Sequence, residues 1–525
     1  MVMIRKTGFL LFIALTAIVS KAQADNLTAR IKIDTDRKIG EIDPKIYGNF
    51  AEHLGRCIYG GIFDPGSKLA DRQGFRRDVL EAAKGLNVSV LRWPGGNFVS
   101  GYHWQDGIGP KKNRPERMDL AWHTPEPNTF GTDEFIAFCR ALGTEPYIAV
   151  NLGTGTLDEA RNWVEYCNVK DGPYFAELRK KNGHAEPYHV KYWSLGNEMD
   201  GFWQMGHKNA QDYGKYALEA AKLMKWTSPE IKLIAAGSSN FYYGSDPHGW
   251  NRTVLEYLKD YIDYIALHKY IRNDDNDYYT FMASPLDIDD RTAIAEGQIR
   301  EVMTRQRDGR TSSPRPRQIY VAWDEYNVWY RARGGAASRG RNALEEKYNL
   351  EDALVIAGFL NAFIRNAHIV KMANMAQLVN VIAPIFTSET SMYRQTIYFP
   401  LALYANNSHG TALDIFVDSP VYDTEQWKNV PYLDVTAAYK GNQIIMNVVN
   451  RHLTEAIQAE VISQTGKFNG PFSVYEINGP DIKTENTFGS EPVQTRKKPD
   501  IDVRGNRFTH TFPPHSYTMI KGKLE

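Results

Sequence analysis

The chain has 525 residues with 62 Lys plus Arg against 62 Asp plus Glu, so it carries no net field for a polyanion and no basic excess that would point to nucleic acid. A chain this long buries a large core and is expected to divide into two domains. Three cysteines, Cys57, Cys139 and Cys167, lack metal-ligand spacing to histidine; they are expected as buried reduced thiols, with no metal and no other cofactor.

At the N-terminus, Arg5 and Lys6 precede an apolar run from Phe9 to Val19 that ends near Ala22-Gln23-Ala24. This is the pattern of a signal peptide over residues 1–24 and predicts export to a periplasm or out of the cell. The run is shorter than the roughly 20 residues of a membrane span, and no later segment is long and apolar enough for one. Residues 25–42 alternate apolar and polar, as in Ala29-Arg30-Ile31-Lys32-Ile33, and are expected to lend strands to a sandwich.

From 43 to 400 short apolar runs alternate with amphipathic stretches, the pattern of strand and helix units around a parallel sheet. Eight strands are expected, at Ile46–Phe50, Val88–Arg92, Pro146–Asn151, Tyr192–Gly196, Leu233–Gly237, Tyr264–His268, Ile319–Trp323 and Val370–Gln377. Helical periodicity lies between them, as in Phe75–Leu86, Thr132–Leu142, Asp212–Trp226 and Leu350–Ala367. An open doubly wound sheet would alternate in the same way, but no glycine-rich dinucleotide fingerprint follows the first strand. The predicted architecture is therefore α/β, a (β/α)8 TIM barrel. Residues 401–525 turn to short β-rich runs such as Ile444–Val449, Ile457–Ile462 and Phe472–Tyr475, and predict an appended antiparallel β-sandwich, jelly-roll-like. Asp287, Asp289 and Asp290 lack the glycine and distal glutamate of a calcium loop and read as a solvated acidic turn. Ser312–Pro316 and the Arg-rich run Arg331–Arg341 read as short loops.

In such a barrel, chemistry sits at the carboxyl ends of the strands, where Glu52, Asn97, Asn197, Glu198, His268, Tyr270, Glu325 and Gln377 all fall. Glu198 follows Leu195-Gly196-Asn197, and Glu325 follows Val321-Ala322-Trp323-Asp324. Two carboxyls delivered by separate strand ends are what glycosidic bond cleavage needs: one acid for the leaving oxygen and one carboxylate to attack carbon or activate water. A structural ion pair is the competing reading of Glu198. Asp324 rivals Glu325, because strict alternation turns only one of the two inward. Arg92-Trp93-Pro94-Gly95-Gly96-Asn97 joins a cation, a tight turn and an amide at one strand end, and Tyr326-Asn327-Val328-Trp329-Tyr330 offers aromatic walls. Glu52 offers a further acceptor for hydroxyls, or an ion pair with His53 or Arg56.

Six blocks carry a resemblance: Asn49–Arg56, Arg92–Tyr102, Asn151–Thr154, Leu195–Gly201, Asp324–Tyr330 and Ala376–Pro384. In order, over almost all of the chain after residue 24, they resemble the α-L-arabinofuranosidases of glycoside hydrolase family 51. The resemblance implies a retaining, exo-acting enzyme with Glu198 as acid/base and Glu325 as nucleophile. It implies that Glu52, Asn97, Asn197 and Gln377 hold furanose hydroxyls, that Arg92 and Tyr270 flank the nucleophile, and that Trp122 and His268 line the pocket. The implied partner is an arabinofuranosyl oligo- or polysaccharide, and the implied assembly is a homo-oligomer, with a hexamer among its forms. Two departures, Tyr326 in place of a tryptophan and His268-Lys269-Tyr270 in place of a segment with a second tyrosine, are expected on the aglycone side. Other glycosidases of this scaffold, for galactofuranose, xylose or internal glucan bonds, and a non-catalytic carbohydrate-binding protein are the alternatives.

Overall fold

On the strand Val90–Trp93, Val90 and Arg92 face one way and Leu91 and Trp93 the other, and all four are buried, as befits a strand covered on both faces. The computed structural model, which describes residues 27–242, 244–308, 318–331 and 337–525, repeats this pattern eight times. Counting from the N-terminus, β1 (Leu27–Ile33) and β2 (Lys38–Ile42) precede the first barrel strand, β3 (Gly48–Phe50). The barrel continues with β4 (Val90–Trp93), and a hairpin of β5 (Arg117–Asp119) and β6 (Thr124–Glu126) projects before β7 (Glu145–Ala149). Then follow β8 (Tyr192–Leu195), β9 (Lys232–Ala235), β10 (Tyr264–Ile271), β11 (Tyr320–Val328) and β12 (Val370–Ala376). All eight pair in parallel, and β12 closes onto β3. Helices cover the outside: α1 (Arg77–Gly85), α2 (Thr132–Leu142), α3 (Leu157–Asn168), α4 (Tyr174–Lys181), α5 (Ala210–Thr227), α6 (Pro247–Leu258), α7 (Tyr278–Ala283), α8 (Leu286–Asp308), α9 (Leu350–Arg365) and α10 (Tyr398–Asn407). The expected (β/α)8 barrel with a C-terminal β-rich unit is the observed fold.

The barrel floor is a plug of inward side chains, including Val90, Tyr147, Tyr192, Ile234, Tyr264 and Met372, so the interior is packed rather than hollow. Above that plug the inward positions become polar: Arg92 on β4, Ser194 on β8, His268 on β10 and Asp324 on β11 are all buried. The C-terminal unit has two facing sheets, of four and seven strands, around Ile31, Val435, Val448, Val461 and Phe472. The N-terminal segment enters both, β1 pairing with Ile457–Ser463 and β2 with Gly410–Leu413. Helix α9 is buried over nearly its whole length because it lies between barrel and sandwich. Its Asn361 donates to the Asp434 carbonyl at 3.2 Å, and its Arg365 binds both Asp434 and, at 2.9 Å, Asp289.

Three expectations change. Pro44–Tyr47 forms a 3-10 turn capped by the Asp43 side chain rather than the start of a strand, since Pro44 pre-sets the first turn position. Asp287, Asp289 and Asp290 are not a solvated turn; they occupy the first turns of α8, where acids suit the helix dipole, and Asp287 binds Lys269 and Arg291. Tyr326 does not lie on the aglycone side: it is fully buried against Phe359 and Phe363 of α9. Cys57, Cys139 and Cys167 are buried free thiols. The stretch 1–24 and the loop Ser312–Pro316 fall outside the described residues, as do 332–336 of the Arg-rich run. No described helix is long and apolar enough to cross a membrane.

Candidate active site

At the carboxyl ends of the barrel strands lies a cavity of about 670 Å³ lined by Glu52, Glu198, Glu325 and His268 among others. Glu198 reaches it through a tight left-handed turn after β8: Gly196 has φ 82° and Glu198 itself φ 43°. A glutamate in that region is locally strained, and such strain collects where a side chain must be aimed. On β11 the register against β10 slips, Ala266 facing Ala322 but His268 facing Glu325. This bulge inserts one extra residue and turns both Asp324 and Glu325 toward the interior. The expectation that only one of them points inward fails for this reason.

The two acidic neighbours have different partners. Glu325 accepts from Arg92 Nη1 at 2.6 Å and from the Tyr270 hydroxyl at 2.8 Å. Asp324 sits deeper, accepting from the Tyr147 hydroxyl at 2.7 Å and from His268 Nε2 at 3.0 Å. Burial works against its charge, but Arg92 and His268 outweigh that and hold Asp324 below the ordinary carboxylate range. Asp324 is thus a buried counterion, whereas Glu325 lines the cavity.

His268 links the carboxyls, its Nδ1 lying 2.9 Å from Glu198 Oε1 and 3.5 Å from Glu325 Oε2. Burial opposes a charged imidazole, yet Glu325, Asp324 and Glu198 together lift His268 well above its usual value, so both ring nitrogens donate. Burial raises the Glu198 pKa, and the negative charge of Glu325 adds to it; hydrogen bonds from His268 and from Trp203 Nε1, at 2.5 Å, work the other way. An oxygen of Glu198 and an oxygen of Glu325 lie within 4.8 Å of each other. Glu198, His268 and Glu325 have the types and spacing of metal ligands. Both imidazole nitrogens are already committed to carboxylates, however, and Arg92 and Tyr270 occupy Glu325, so the trio is complete as an acid–base cluster.

Around these groups lie polar atoms without partners among the described residues. Asn197 Oδ1 accepts from Arg92 Nη2 at 2.7 Å, which leaves its buried Nδ2 unpaired. Gln377 Nε2 donates to Glu52 Oε2 at 2.9 Å, which leaves its Oε1 unpaired. Glu52 Oε1 accepts from the Phe98 amide and from Trp122 Nε1, both at 3.0 Å. Burial, with Glu325 adding, still raises Glu52 to about 8. Between the carboxyls stands Gly96, where a β-carbon would meet Glu52 at 3.2 Å and Glu325 at 3.4 Å. Buried orphan donors and acceptors are costly unless something satisfies them, and a polyhydroxylated ring supplies both. Asn97 lines the same cavity.

The structure therefore brings Glu52, Arg92, Asn97, Trp122, Asn197, Glu198, His268, Tyr270, Glu325 and Gln377 to one place. Sequence reasoning missed Trp203 and Tyr147, and it singled out Gly96 only as part of a tight turn at a strand end. Trp203 had a faint signal, a Phe-Trp pair five residues past the strand-end acid. Tyr147 had none, being one aromatic in an apolar run.

The chain is similar to known proteins over almost its whole length. Residues 82–285 match the family model "Alpha-L-arabinofuranosidase 1 domain", and 324–516 match "Alpha-L-arabinofuranosidase C-terminal domain". An intracellular exo-α-(1→5)-L-arabinofuranosidase 1 from Bacillus subtilis is 40% identical, the match covering 95% of this chain and 99% of that one. An intracellular exo-α-(1→5)-L-arabinofuranosidase from Acetivibrio thermocellus is 42% identical over 94% of this chain and 99% of its own. The crystal structure of the Thermotoga maritima α-L-arabinofuranosidase in its arabinose complex superposes with a TM-score of 0.85 at 41% identity, covering 95% of this chain and 100% of that one. Both bacterial relatives are named intracellular, which overturns the expectation of export: a charged-then-apolar run is a short compositional pattern, and near-full-length relatives outweigh it. Matches of this extent and identity place the chain in the α-L-arabinofuranosidases of glycoside hydrolase family 51.

Proposed function

We propose that this protein is a retaining, exo-acting α-L-arabinofuranosidase that releases terminal arabinofuranose from arabinan or arabinoxylan side chains or their oligosaccharides. The observation that carries the reading is that one oxygen of Glu198 and one of Glu325 lie within 4.8 Å, a contact that suits the closer of the two known carboxyl spacings. Retaining pairs stand about 5–5.5 Å apart, whereas inverting pairs leave about 6.5–9.5 Å for a water.

In the first step a Glu325 oxygen attacks the anomeric carbon while Glu198 gives its proton to the glycosidic oxygen, so the aglycone leaves as a neutral alcohol and a glycosyl ester remains on Glu325. In the second, the Glu198 carboxylate takes a proton from water, whose oxygen attacks the same carbon and returns the Glu325 carboxylate. Arg92 and Tyr270 fix the Glu325 oxygens, and charged His268 offsets the negative charge on Glu198 after it has given up its proton. Unpaired Asn197 Nδ2 and Gln377 Oε1, with Asn97, Glu52 and Trp122, meet the ring hydroxyls, Asn197 that at carbon 2. Self-assembly into a homo-oligomer, a hexamer among its forms, belongs to the same proposal and is read by light scattering.

The test is turnover of an aryl α-L-arabinofuranoside beside aryl xyloside, galactofuranoside and glucoside, followed by proton NMR. The arabinofuranoside alone should be cleaved, its first product keeping the α configuration. Cleavage of another sugar only would overturn the substrate, and a β product would overturn the mechanism.

A further inference from the structure

The outer part of the cavity differs in charge from its floor. The carboxyls among the described lining residues, Glu52, Glu198 and Glu325, all belong to the proposed catalytic and sugar-binding groups, whereas Lys269, Arg272, Arg291 and Arg331 also line the cavity and do not. Three of these four cations have a carboxylate partner. Asp287 alone receives both Lys269 Nζ, at 2.6 Å, and Arg291, and Asp274 holds Arg272 at 2.6 Å. Arg331 is exposed, and among the described residues it has no carboxylate partner. Its guanidinium lies 5.1 Å from the Trp329 ring centre and 6.0 Å from that of Tyr242, whose hydroxyl accepts from it. Tyr242 in turn packs edge-on against Trp203, the donor to Glu198, at 5.7 Å. The cation therefore stands over an aromatic wall that adjoins the proposed acid. On a chain whose formal charges cancel, this positive vestibule is local. The arabinofuranosyl group itself is uncharged, so it offers these cations no counter-charge.

We propose that the vestibule selects aglycones carrying a carboxylate, with Arg331 as the cation that reads it. A planar guanidinium offers paired N–H donors that match a carboxylate, and its hydrogen bond to the Tyr242 hydroxyl, with its place near the Trp329 ring, holds it at the cavity. Asp287 and Asp274 mute the other three cations, which makes Arg331 the selective one. The inference rests on the arabinofuranosidase reading of the same site and adds a chemical class of leaving group to it.

The test compares 4-carboxyphenyl and 4-carbamoylphenyl α-L-arabinofuranosides as the ratio of their kcat/KM values, in wild type and in Arg331→Gln. The two leaving groups differ in basicity, so the readout is the change in that ratio between proteins and between salt concentrations. For a solvent-exposed pair the acid-to-amide ratio should fall roughly two- to fivefold in Arg331→Gln. It should fall similarly in wild type at about 0.5 M NaCl, where screening shortens to roughly 4 Å. A ratio unmoved by both changes would overturn the proposal. If neither probe is turned over while another aryl glycoside is, the arabinofuranosidase reading fails instead. A parallel pair, arabinofuranosyl-glucuronate against arabinofuranosyl-glucose, assigns the source: the same Arg331-dependent shift identifies a uronic acid residue, and its confinement to the aryl pair identifies an aromatic acid.

Discussion

Replacing Glu52 with glutamine should stabilise the protein at neutral and alkaline pH, and by an amount that grows with pH. Glu52 is only 2% exposed, and its pKa lies near 8 against an ordinary value of 4.5. The folded state therefore holds a proton that the unfolded chain has released, so the contribution of this one group to stability is greatest below about pH 4.5 and falls until about pH 8. A shift from 4.5 to about 8 corresponds to roughly 5 kcal/mol at 1.36 kcal/mol per unit; because neighbouring carboxyls can share the proton, about 2–5 kcal/mol is the expected range. Glutamine keeps the acceptor for Phe98 and Trp122, and Gln377, whose Oε1 has no partner, can flip to accept from the new amide. Thermal unfolding of wild type and Glu52→Gln from pH 5 to 9 reads the effect directly. The variant's advantage should widen steadily toward pH 8 and then level off. A difference that stays constant across that range would refute the charge argument, and a variant that loses stability at every pH would show that the carboxylate is needed for packing.

Other changes probe single contacts. Trp203→Phe removes the indole donor to Glu198, which should move the alkaline limb of kcat upward and slow substrates with poor leaving groups most, as read in pH–rate profiles. Gly96→Ala places a methyl 3.2 Å from Glu52 and 3.4 Å from Glu325; it should leave the unfolding midpoint within a few degrees of wild type while lowering kcat/KM at least about 100-fold, since it fills the space proposed for the furanose. Tyr326→Phe deletes a buried hydroxyl that has no partner among the described residues and should raise stability by about 1 kcal/mol in denaturant unfolding without altering activity.

The barrel was legible because its physics is periodic. Runs such as Leu233–Gly237, short and apolar on both faces, alternate with amphipathic stretches such as Thr132–Leu142, and the structure starts and stops that helix at the same residues. The strand-end rule then pointed to Glu198 and Glu325 before any contact was known. What it missed depends on departures from periodicity. No residue pattern in Ala322-Trp323-Asp324-Glu325 announces a bulge, yet the bulge admits both acids to the interior. The same slip helps set Tyr326 outward against α9, where an aromatic cluster in sequence had suggested a pocket wall. Asp287, Asp289 and Asp290 misled because an acidic triplet suits a loop and a helix N-terminus equally.

The central claim, that Glu325 attacks and Glu198 protonates, is tested most directly by azide rescue of Glu198→Ala and Glu325→Ala on an activated aryl α-L-arabinofuranoside. Both variants should be slow without azide. With it, Glu198→Ala should yield the α-arabinofuranosyl azide, because azide attacks a glycosyl-enzyme already formed on Glu325, and Glu325→Ala should yield the β-azide by direct displacement. The opposite assignment of products, or a Glu325→Ala enzyme with near wild-type turnover, would contradict the account.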